Sequence, residues 1–396
     1  MAIRMPCDTS GFVTSPDLPP SIYTEGESVF GETERDALVK ALGWLQSAFS
    51  PQRPNFRTGL DLLRYNKIEG LSPGGQMTWT LGAGYTVMGQ ARIGMADGVP
   101  NGELSLSRSN GRSQLSLAAF HRFAVANDDY GAPLSFGASV RNLIDARDEG
   151  FYYRTFGLEL AGERRAPLFG VPFTWELFAE RHRSAGTDPN TTLSLVDLWS
   201  NPRFGNNIDA AQLSAAGLRL QVAKGFGENP TRPRFDTRLK LEHAVIDRSD
   251  FDRIVDYGRY VGDATLNLPL GRYAASLSAS AGTSTGDLPV QRAFFIGGLH
   301  TVRGQFARLD QSHVGDAFWL GRSEFGTSSG GLRPVVFYDV GWTGSRRDFG
   351  GGLSGRPMSG AGFGLSFLDG LFRIDVSRGI WPERRWRTDL HLGAIF

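Results

Sequence analysis

Residues 234–244, RFDTRLKLEHA, alternate between charged side chains and mostly apolar ones without a break. Successive side chains of a β-strand point to opposite faces, so one face of this stretch carries five charges in a row and the other is largely apolar. Such a charged face must meet water. The charged residues are Arg234, Asp236, Arg238, Lys240 and Glu242. The stretch therefore predicts a β-strand with one wet face and one apolar face.

The same period of two recurs along most of the chain. We predict sixteen strands, near residues 56–67, 74–83, 85–97, 102–109, 113–125, 151–164, 172–183, 210–224, 234–246, 259–269, 271–284, 316–326, 333–342, 358–367, 370–378 and 386–396. A soluble sandwich would also alternate, but it rarely needs sixteen strands. A transmembrane barrel turns apolar residues toward lipid and polar residues toward a wet lumen, and bacterial single-chain barrels have an even strand number. The pattern predicts an all-β fold, an antiparallel transmembrane β-barrel.

The lengths of the connections agree with a barrel. Most links after even-numbered strands are short, whereas long ones follow odd-numbered strands, at 126–150, 184–209, 247–258, 285–315 and 343–357. Because antiparallel strands return to the same side at every second connection, the long connections share one rim. Long loops on one rim and tight turns on the other are typical of outer-membrane barrels.

Composition argues against several other classes of protein. The 42 basic and 41 acidic residues leave a net charge of +1, whereas nucleic-acid binding calls for a basic excess or stripe, so we expect no nucleic-acid partner. Cys7 is the only cysteine and the six histidines are dispersed, so we predict no metal site. Since common nucleophile and dinucleotide motifs are also missing, we expect no cofactor and no enzyme activity, although a Ser-His pair on an inward face stays open.

The amino-terminal part of the chain has a different pattern from the rest. Residues 1–55 are predicted to be a leader and residues 56–396 a barrel domain. Within the leader, residues 33–49 repeat apolar side chains every three or four positions, which predicts an amphipathic helix. This helix would plug the lumen, lie on the rim or form a loosely ordered leader. Residues 1–20 lack the apolar centre of a signal peptide, so an export signal would have been removed or replaced.

One long connection, residues 285–315, carries a glycine-rich motif, FIGGLHTVRG at 295–304. Its glycines permit a sharp, close-packed backbone, and its arginine brings a permanently charged planar fork. The simplest interpretation is a surface loop with a solvated arginine. The motif residues are Gly297, Gly298, Val302, Arg303 and Gly304.

This loop resembles the sixth extracellular loop of the superfamily that includes the BAM-complex barrel, TamA, the transporters of two-partner secretion and the bacterial surface antigens. That loop carries V-R-G-F/Y after a Gly-Gly pair. The present chain has Gln305 after the Val-Arg-Gly and an aromatic residue, Phe306, one position later. Residues 64–70, RYNKIEG, weakly resemble the opening of the barrel in some surface-antigen relatives.

Two further segments match the superfamily in order. Residues 319–325, WLGRSEF, are similar to the strand whose inward glutamate faces the loop, which here is Glu324. Residues 335–342, VVFYDVGW, are similar to the strand whose aspartate pairs with the loop arginine, here Asp339. The resemblance implies that the loop folds into the lumen and that Arg303 is locked to these two wall acids. A lumen of sixteen strands is too wide for wall side chains to fill, which gives such a loop a physical reason.

The carboxyl terminus also resembles a known signal. The last predicted strand ends on an aromatic residue with apolar residues at alternate positions before it, including Phe396, Leu392 and Leu390. Such a terminal strand is similar to the sorting signal by which Gram-negative outer-membrane proteins are recognised for insertion. The resemblance implies integral location in the bacterial outer membrane.

The superfamily resemblance implies a barrel for insertion or translocation of polypeptides, by opening between the first and last strands or by passage through the lumen. The alternative is a non-catalytic outer-membrane anchor or pore, perhaps a subunit of a larger envelope complex. The implied partners are outer-membrane lipid and lipopolysaccharide, the barrel-assembly machinery during insertion, and a polypeptide client or an envelope protein. Well-known members carry periplasmic POTRA domains of ~75 residues. None fits within residues 1–55, so we expect a barrel-only member or a missing upstream portion.

Overall fold

The computed structural model describes residues 50–129, 133–166, 171–191, 193–195, 204–227, 229, 231–248, 253–328, 331–349, 356–368 and 371–392. Sixteen strands form one antiparallel sheet in chain order, which confirms the predicted fold class. They are β1 (Asn55–Arg57), β4 (Gly74–Gly82), β5 (Tyr85–Ile93), β6 (Pro100–Ser109), β7 (Ser113–Val125), β8 (Tyr152–Ala166), β9 (Val171–Ser184), β10 (Leu213–Phe226), β11 (Arg234–Arg248), β12 (Arg253–Leu270), β13 (Tyr273–Gly286), β16 (Ala317–Thr327), β17 (Leu332–Gly344), β18 (Met358–Phe367), β19 (Phe372–Trp381) and β20 (Trp386–Leu392). Two short pairs lie outside this sheet, β2 (Arg64–Asn66) with β3 (Gly70–Ser72) and β14 (Phe294–Phe295) with β15 (Val314–Gly315).

The two faces of the sheet have opposite chemistry. On β11, Glu242 points to the interior and is 9% exposed, whereas Val245 on the other face is 48% exposed. On β20, Arg387 and Asp389 are buried inside, while Trp386 is exposed on the outer face. Polar side chains inside and apolar side chains outside are the arrangement that a barrel in lipid requires. Among the described residues, no helix is both long and apolar enough to cross a membrane.

The start of the barrel differs from the prediction of a strand over 56–67. Strand β1 has only three residues, and it is followed by a 3₁₀ turn (Leu60–Leu62) and by the β2–β3 hairpin. The turn of this hairpin is held by Asn66, whose Oδ1 accepts hydrogen bonds from the backbone N–H groups of Ile68 and Glu69 at 3.0 and 2.8 Å. An Asn side chain that bonds to the backbone two and three residues later favours a turn over a continued strand.

Two other boundaries also differ. The connection predicted at 247–258 is short, because β11 continues to Arg248 and β12 begins at Arg253. Strand β20 ends at Leu392 in the described chain, so Phe396 lies outside the described residues. The predicted leader helix at 33–49 lies outside them as well.

The first and last strands of the sheet each have one neighbour in the described chain. Strand β1 pairs with β4 over three residues, and β20 pairs with β19. Within the described residues, no ladder of backbone hydrogen bonds joins β1 to β20. Strands β1 and β20 are therefore the two edges of the described sheet.

The interior is filled by connections from the rim that carries the long loops. The described residues of four connections, within 58–73, 126–151, 185–212 and 287–316, turn inward and contact one another inside the sheet. The second contains a helix that the sequence analysis did not predict, α1 (Phe136–Asp145). It begins at Ser135, whose Oγ accepts a hydrogen bond from the N–H of Ala138 at 3.2 Å, and ends at Ala146, which has a φ of 55°.

Candidate functional site

The tip of the inward connection 287–316 is a compact turn. Gly297 and Gly298 have φ values of 101° and 96°, a region in which residues with a Cβ are strained. The N–H of Gly297 donates to Oγ1 of Thr301 at 2.8 Å, and the N–H of Gly298 donates to the carbonyl of Gln305 at 3.0 Å. These bonds close the segment 297–305 on itself, so that its far side can present Arg303 to the wall.

Arg303 is buried inside the barrel, with 1% of its surface exposed. Its Nε and Nη2 donate to the two carboxylate oxygens of Asp339 on β17, at 2.6 and 2.8 Å, and its backbone N–H donates to the same carboxylate at 3.0 Å. Its Nη1 contacts Oε1 of Glu324 on β16. The guanidinium carbon lies 3.6 Å from the ring centre of Phe337. The three predicted residues of the loop lock therefore meet at one point of the wall.

The wall acids are themselves connected to further strands. Glu324 receives two hydrogen bonds from Arg373 on β19, both at 3.1 Å, and Nε of Arg373 donates to Asp375 at 2.7 Å. Asp375 lies 3.0 Å from Nε2 of His391 on β20. Burial by itself would lower the pKa of Arg303, but its bonds and charge interactions with Asp339 and Glu324 raise it, so the guanidinium stays charged. The contact thus extends from the loop to the last strand.

The backbone of the tip lies directly against the wall because the wall has no side chains there. A Cβ on Gly360 of β18 would lie 1.9 Å from the carbonyl oxygen of Arg303, and a Cβ on Gly304 would lie 2.6 Å from the nitrogen of Gly379 on β19. Beside these contacts, Val302 is fully buried in an apolar cluster with Phe294, Ile296, Phe318, Leu320, Val261 and Met358. The motif therefore combines an ion pair, a close backbone contact and an apolar anchor.

Gln305 is a site residue that sequence reasoning missed. It occupies the position of the superfamily aromatic and is fully buried. Its Nε2 donates to the carbonyls of Ser359 and Glu383 at 2.9 and 3.1 Å, and its Oε1 accepts from the N–H of Glu383 at 3.2 Å. The displaced aromatic, Phe306, lies under the guanidinium of Arg387 at 5.1 Å. The departure from the motif is thus accommodated by amide hydrogen bonds to β18 and to the β19–β20 connection.

A second charged contact joins the loop to another connection and to the last strand. Arg387 on β20 donates to Glu149 at 2.5 Å, to Asp389 at 2.6 Å and to the carbonyl of Gln305 at 3.0 Å. The other oxygen of Glu149 accepts the N–H of Leu299 at 3.0 Å. Burial alone would raise the pKa of Glu149, but the charges of Arg387 and Arg141 lower it to about 2. No sequence signal connected positions 149 and 387.

A third contact holds the start of the loop. Arg292, in a 3₁₀ turn (Val290–Arg292), donates to Glu180 on β9 at 2.7 Å and lies 3.3 Å from Glu242 on β11. Arg219 on β10 contacts the same two acids, at 2.6 and 3.2 Å. These residues had not been singled out, because their spacing along the chain has no recognisable pattern.

The weak match at 64–70 is the β2–β3 hairpin inside the lumen. The backbone N–H of Lys67 donates to Asp148 at 2.8 Å, and its Nζ donates to the carbonyl of Asn206 at 3.3 Å. Glu69 accepts a hydrogen bond at 2.7 Å from Asn101 on β6. This hairpin therefore ties two other inward connections to the wall.

The carboxyl-terminal residues are only partly described. Leu390 lies opposite Ile374 of β19 on the outward face, and Leu392 pairs with Phe372. In the described part of the chain, no group of His, Cys, Asp and Glu side chains is arranged to hold a metal ion.

Comparisons with known proteins concern one segment of the sequence and the fold. Residues 218–367, which include the loop and both wall acids, match the family model described as haemolysin secretion/activation protein ShlB/FhaC/HecB. The structure is similar to the crystal structure of BamA from Haemophilus ducreyi lacking POTRA domains 1–3, with a TM-score of 0.53 and 12% identity over 90% of this chain and 78% of that chain. CdiB from Acinetobacter baumannii has a TM-score of 0.44 and 14% identity, over 82% of this chain and 57% of that chain.

No protein of curated function matches the sequence significantly. The structural likeness, at this level of identity, concerns the fold, and the family match covers the segment in which the sequence motifs were found. Together they confirm the resemblance seen in the sequence: residues 218–367 match the family model of secretion/activation proteins, and the fold is similar to that of the BamA structure.

Proposed function

We propose that the chain inserts or translocates polypeptides at the outer membrane, and that the connection 287–316 is the removable obstruction in its lumen. The observation that carries the proposal is the docking of buried Arg303 on Asp339 and Glu324. In this proposal the Arg303 contact fastens the loop in the resting state.

The kind of contact supports a removable fastening. Beside the apolar cluster around Val302, the loop is attached to the wall by ion pairs and hydrogen bonds of Arg292, Arg303 and Gln305. Water or the backbone of a polypeptide can replace such partners one at a time, whereas an apolar core would have to be exposed as a whole. Breaking one partner alone is costly, because it leaves a buried charge without its counterion. The loop is therefore stable when docked and can be exchanged when another polar chain enters.

The edges of the described sheet support a second element of the proposal. Strand β1 pairs with β4 over only three residues, so freeing this part of β1 from the sheet would break few backbone hydrogen bonds. A client strand could add to β20, the other edge of the described sheet, by β-augmentation. We propose a polypeptide client, with the barrel-assembly machinery as partner during insertion of the barrel itself.

The alternative function is a permanent anchor or pore in an envelope complex. It is favoured by the number of separate attachments in the lumen, since the contacts of Arg292, Arg387 and the β2–β3 hairpin would all have to be rearranged for a wide passage. In that case the Arg303 contact would serve folding only.

Conductance and export distinguish the two functions. We expect Arg303→Ala to increase the frequency of open events of the purified barrel in planar lipid bilayers, and to change the amounts of exported or outer-membrane polypeptides when it replaces the native gene. The matched control is Arg308→Ala, which removes an arginine of the same loop whose side chain is 48% exposed. If Arg303→Ala behaves like this control in both assays, the loop is a structural filling and the anchor function is preferred.

A further inference from the structure

The outer face of the barrel carries two arginines next to each other on one strand. On β9, the outward residues are apolar from Val171 to Ala179, and Arg181 and Arg183 follow, both exposed. The residue between them, His182, points into the lumen and is fully buried. Within the described chain, neither arginine has an ion pair, a hydrogen bond or a ring contact.

Below Arg181, the outer face is hollowed. Three small residues, Ala119, Ala179 and Ala216, lie in one row across β7, β9 and β10, with Leu158 of β8 between the first two, whereas the next row carries leucines. Larger apolar residues border them, namely Phe156, Leu158, Val245 and Ile254. The result is a shallow, mostly apolar groove of about 950 Å³. A groove one side chain deep on a lipid-facing wall fits an acyl chain.

The arginines lie at the height of lipid headgroups. Ten residues separate Val171 from Arg181, and at about 3.3 Å per residue and a tilt of about 40° they span about 25 Å along the barrel axis. This is the height of the apolar band of an outer-membrane barrel, about 25 Å. Arg181 and Arg183 therefore stand at its upper edge, on the rim from which the four inward connections start.

Local charges leave the two arginines in need of an anion. Arg183 lies opposite Arg154 in the β8–β9 ladder, and Arg154 is already paired with Asp97 at 2.5 Å. Asp247 is two strands away from Arg181 in the same row, with Ser214 between them. Two strand spacings separate their backbones by about 10 Å. Two neighbouring guanidinium groups without counterions are suited to phosphate, which they bind in a bidentate geometry.

We propose that this groove is a binding site for lipopolysaccharide, with a lipid A phosphate on Arg181 and Arg183 and an acyl chain along Ala179 and Ala216. Long connections are extracellular in outer-membrane barrels, and the outer leaflet on that side is built of lipopolysaccharide. The lipid would cover the outer wall of β8–β11 and supply an anion beside Arg181 and Arg183.

Native mass spectrometry of the full chain in a nonionic detergent tests the site, with bisphosphorylated lipid A as the probe. We expect the double variant Arg181→Gln/Arg183→Gln to lower the affinity about tenfold or more, since charge-assisted hydrogen bonds to phosphate are lost. Ala179→Phe fills the groove without touching a charge and should also weaken binding severalfold. Heat-modifiable migration identifies folded variants, and Arg183→Gln alone replaces the double variant if that one does not fold.

The matched control is Arg164→Gln, which removes an exposed outward arginine at the opposite end of the apolar band on β8. It should bind lipid A within about twofold of the native chain, because Arg164 lies far from the groove. Unchanged affinity in the arginine and groove variants, or an equal loss in Arg164→Gln, overturns the proposal. Equal binding of phosphatidylglycerol, with the same loss in the double variant, overturns the assignment to lipopolysaccharide.

Discussion

Arginines attach the start and the tip of the inward loop to the wall, and they do so in different ways. Arg292, at the start, reaches Glu180 and Glu242 through its side chain alone, and Arg219 of the wall contacts the same two acids. Arg303, at the tip, uses its backbone and its side chain on Asp339. The nearest other cation to that acid is Arg322, whose Nε is 3.5 Å away.

The difference teaches that two ion pairs of one loop need not be equally important for its docking. At the start of the loop, the wall can keep its acids neutralised without Arg292, because Arg219 remains. At the tip, loop and wall depend on each other, since removing either partner leaves a charge in a dehydrated place. The tip should therefore control docking, and the start should only adjust it.

The largest effect is expected from breaking the tip. Arg303→Ala or Asp339→Ala should each cost roughly 3–5 kcal/mol in the free energy of loop docking, because each takes the bidentate partner from a buried charge. Combined, they should cost much less than the sum, with a coupling of at least about 1 kcal/mol. Hydrogen exchange of residues 297–305 and unfolding in detergent measure both quantities. Additive losses would show that the two residues do not depend on each other.

A slightly smaller effect is expected from filling the bare wall under the tip. Gly360→Ala places a Cβ 1.9 Å from the carbonyl oxygen of Arg303. The tip must therefore move, which should cost about 1–3 kcal/mol in the free energy of loop docking. Gly262→Ala on β12 is the control, since a Cβ there has no atom within 4 Å. Proteolysis within 297–305 should rise only in the first variant. Equal protection in both would mean that backbone contact is unimportant for docking.

A smaller effect should follow at the start of the loop. Arg292→Gln should cost about 1–2 kcal/mol in the free energy of loop docking. Charge-assisted hydrogen bonds are lost, while Arg219 still neutralises Glu180 and Glu242. The double variant with Arg219→Gln should cost more than the two single variants together, which would demonstrate the redundancy. A loss for Arg292→Gln as large as that for Arg303→Ala, in the same hydrogen-exchange assay, would remove the distinction between the two ends.

The smallest effect concerns pH at the tip. Burial, together with the nearby charge of Arg141, lowers the pKa of His300 to about 3, against the opposite influence of Glu149. In the undocked loop the imidazole would titrate near 6.5. As the pH falls, His300 is therefore protonated in the undocked loop before it is protonated in the docked loop. Docking weakens as the pH falls from about 6.5 toward 3.

Between pH 7 and 5, this protonation should make the free energy of loop docking less favourable by about 1 kcal/mol at most, since His300 is only half-buried. His300→Gln should remove the dependence while Glu149, with a pKa of about 2, stays ionised throughout. Hydrogen exchange of residues 297–305 at the two pH values checks this. The same pH dependence in His300→Gln would place its origin in another group.

The period of two, the motif order and the alternation of faces determined much of this protein from sequence alone. The strands were predicted because side-chain direction in a strand is a local property, which each pair of neighbouring residues repeats. Arg303, Glu324 and Asp339 were found because their motifs occur in a recognisable order. The side on which each acid lies also followed from alternation.

The filling of the lumen was decided only by the tertiary structure. Glu149 and Arg387 are 238 positions apart, and the β2–β3 hairpin lies inside the barrel although its sequence suggested a continued strand. Gln305 replaces an aromatic residue by bonds to β18 and to the β19–β20 connection, which no local pattern contains. Such contacts exist because sheet closure brings distant polar residues together in a space with little water, where each must find a partner.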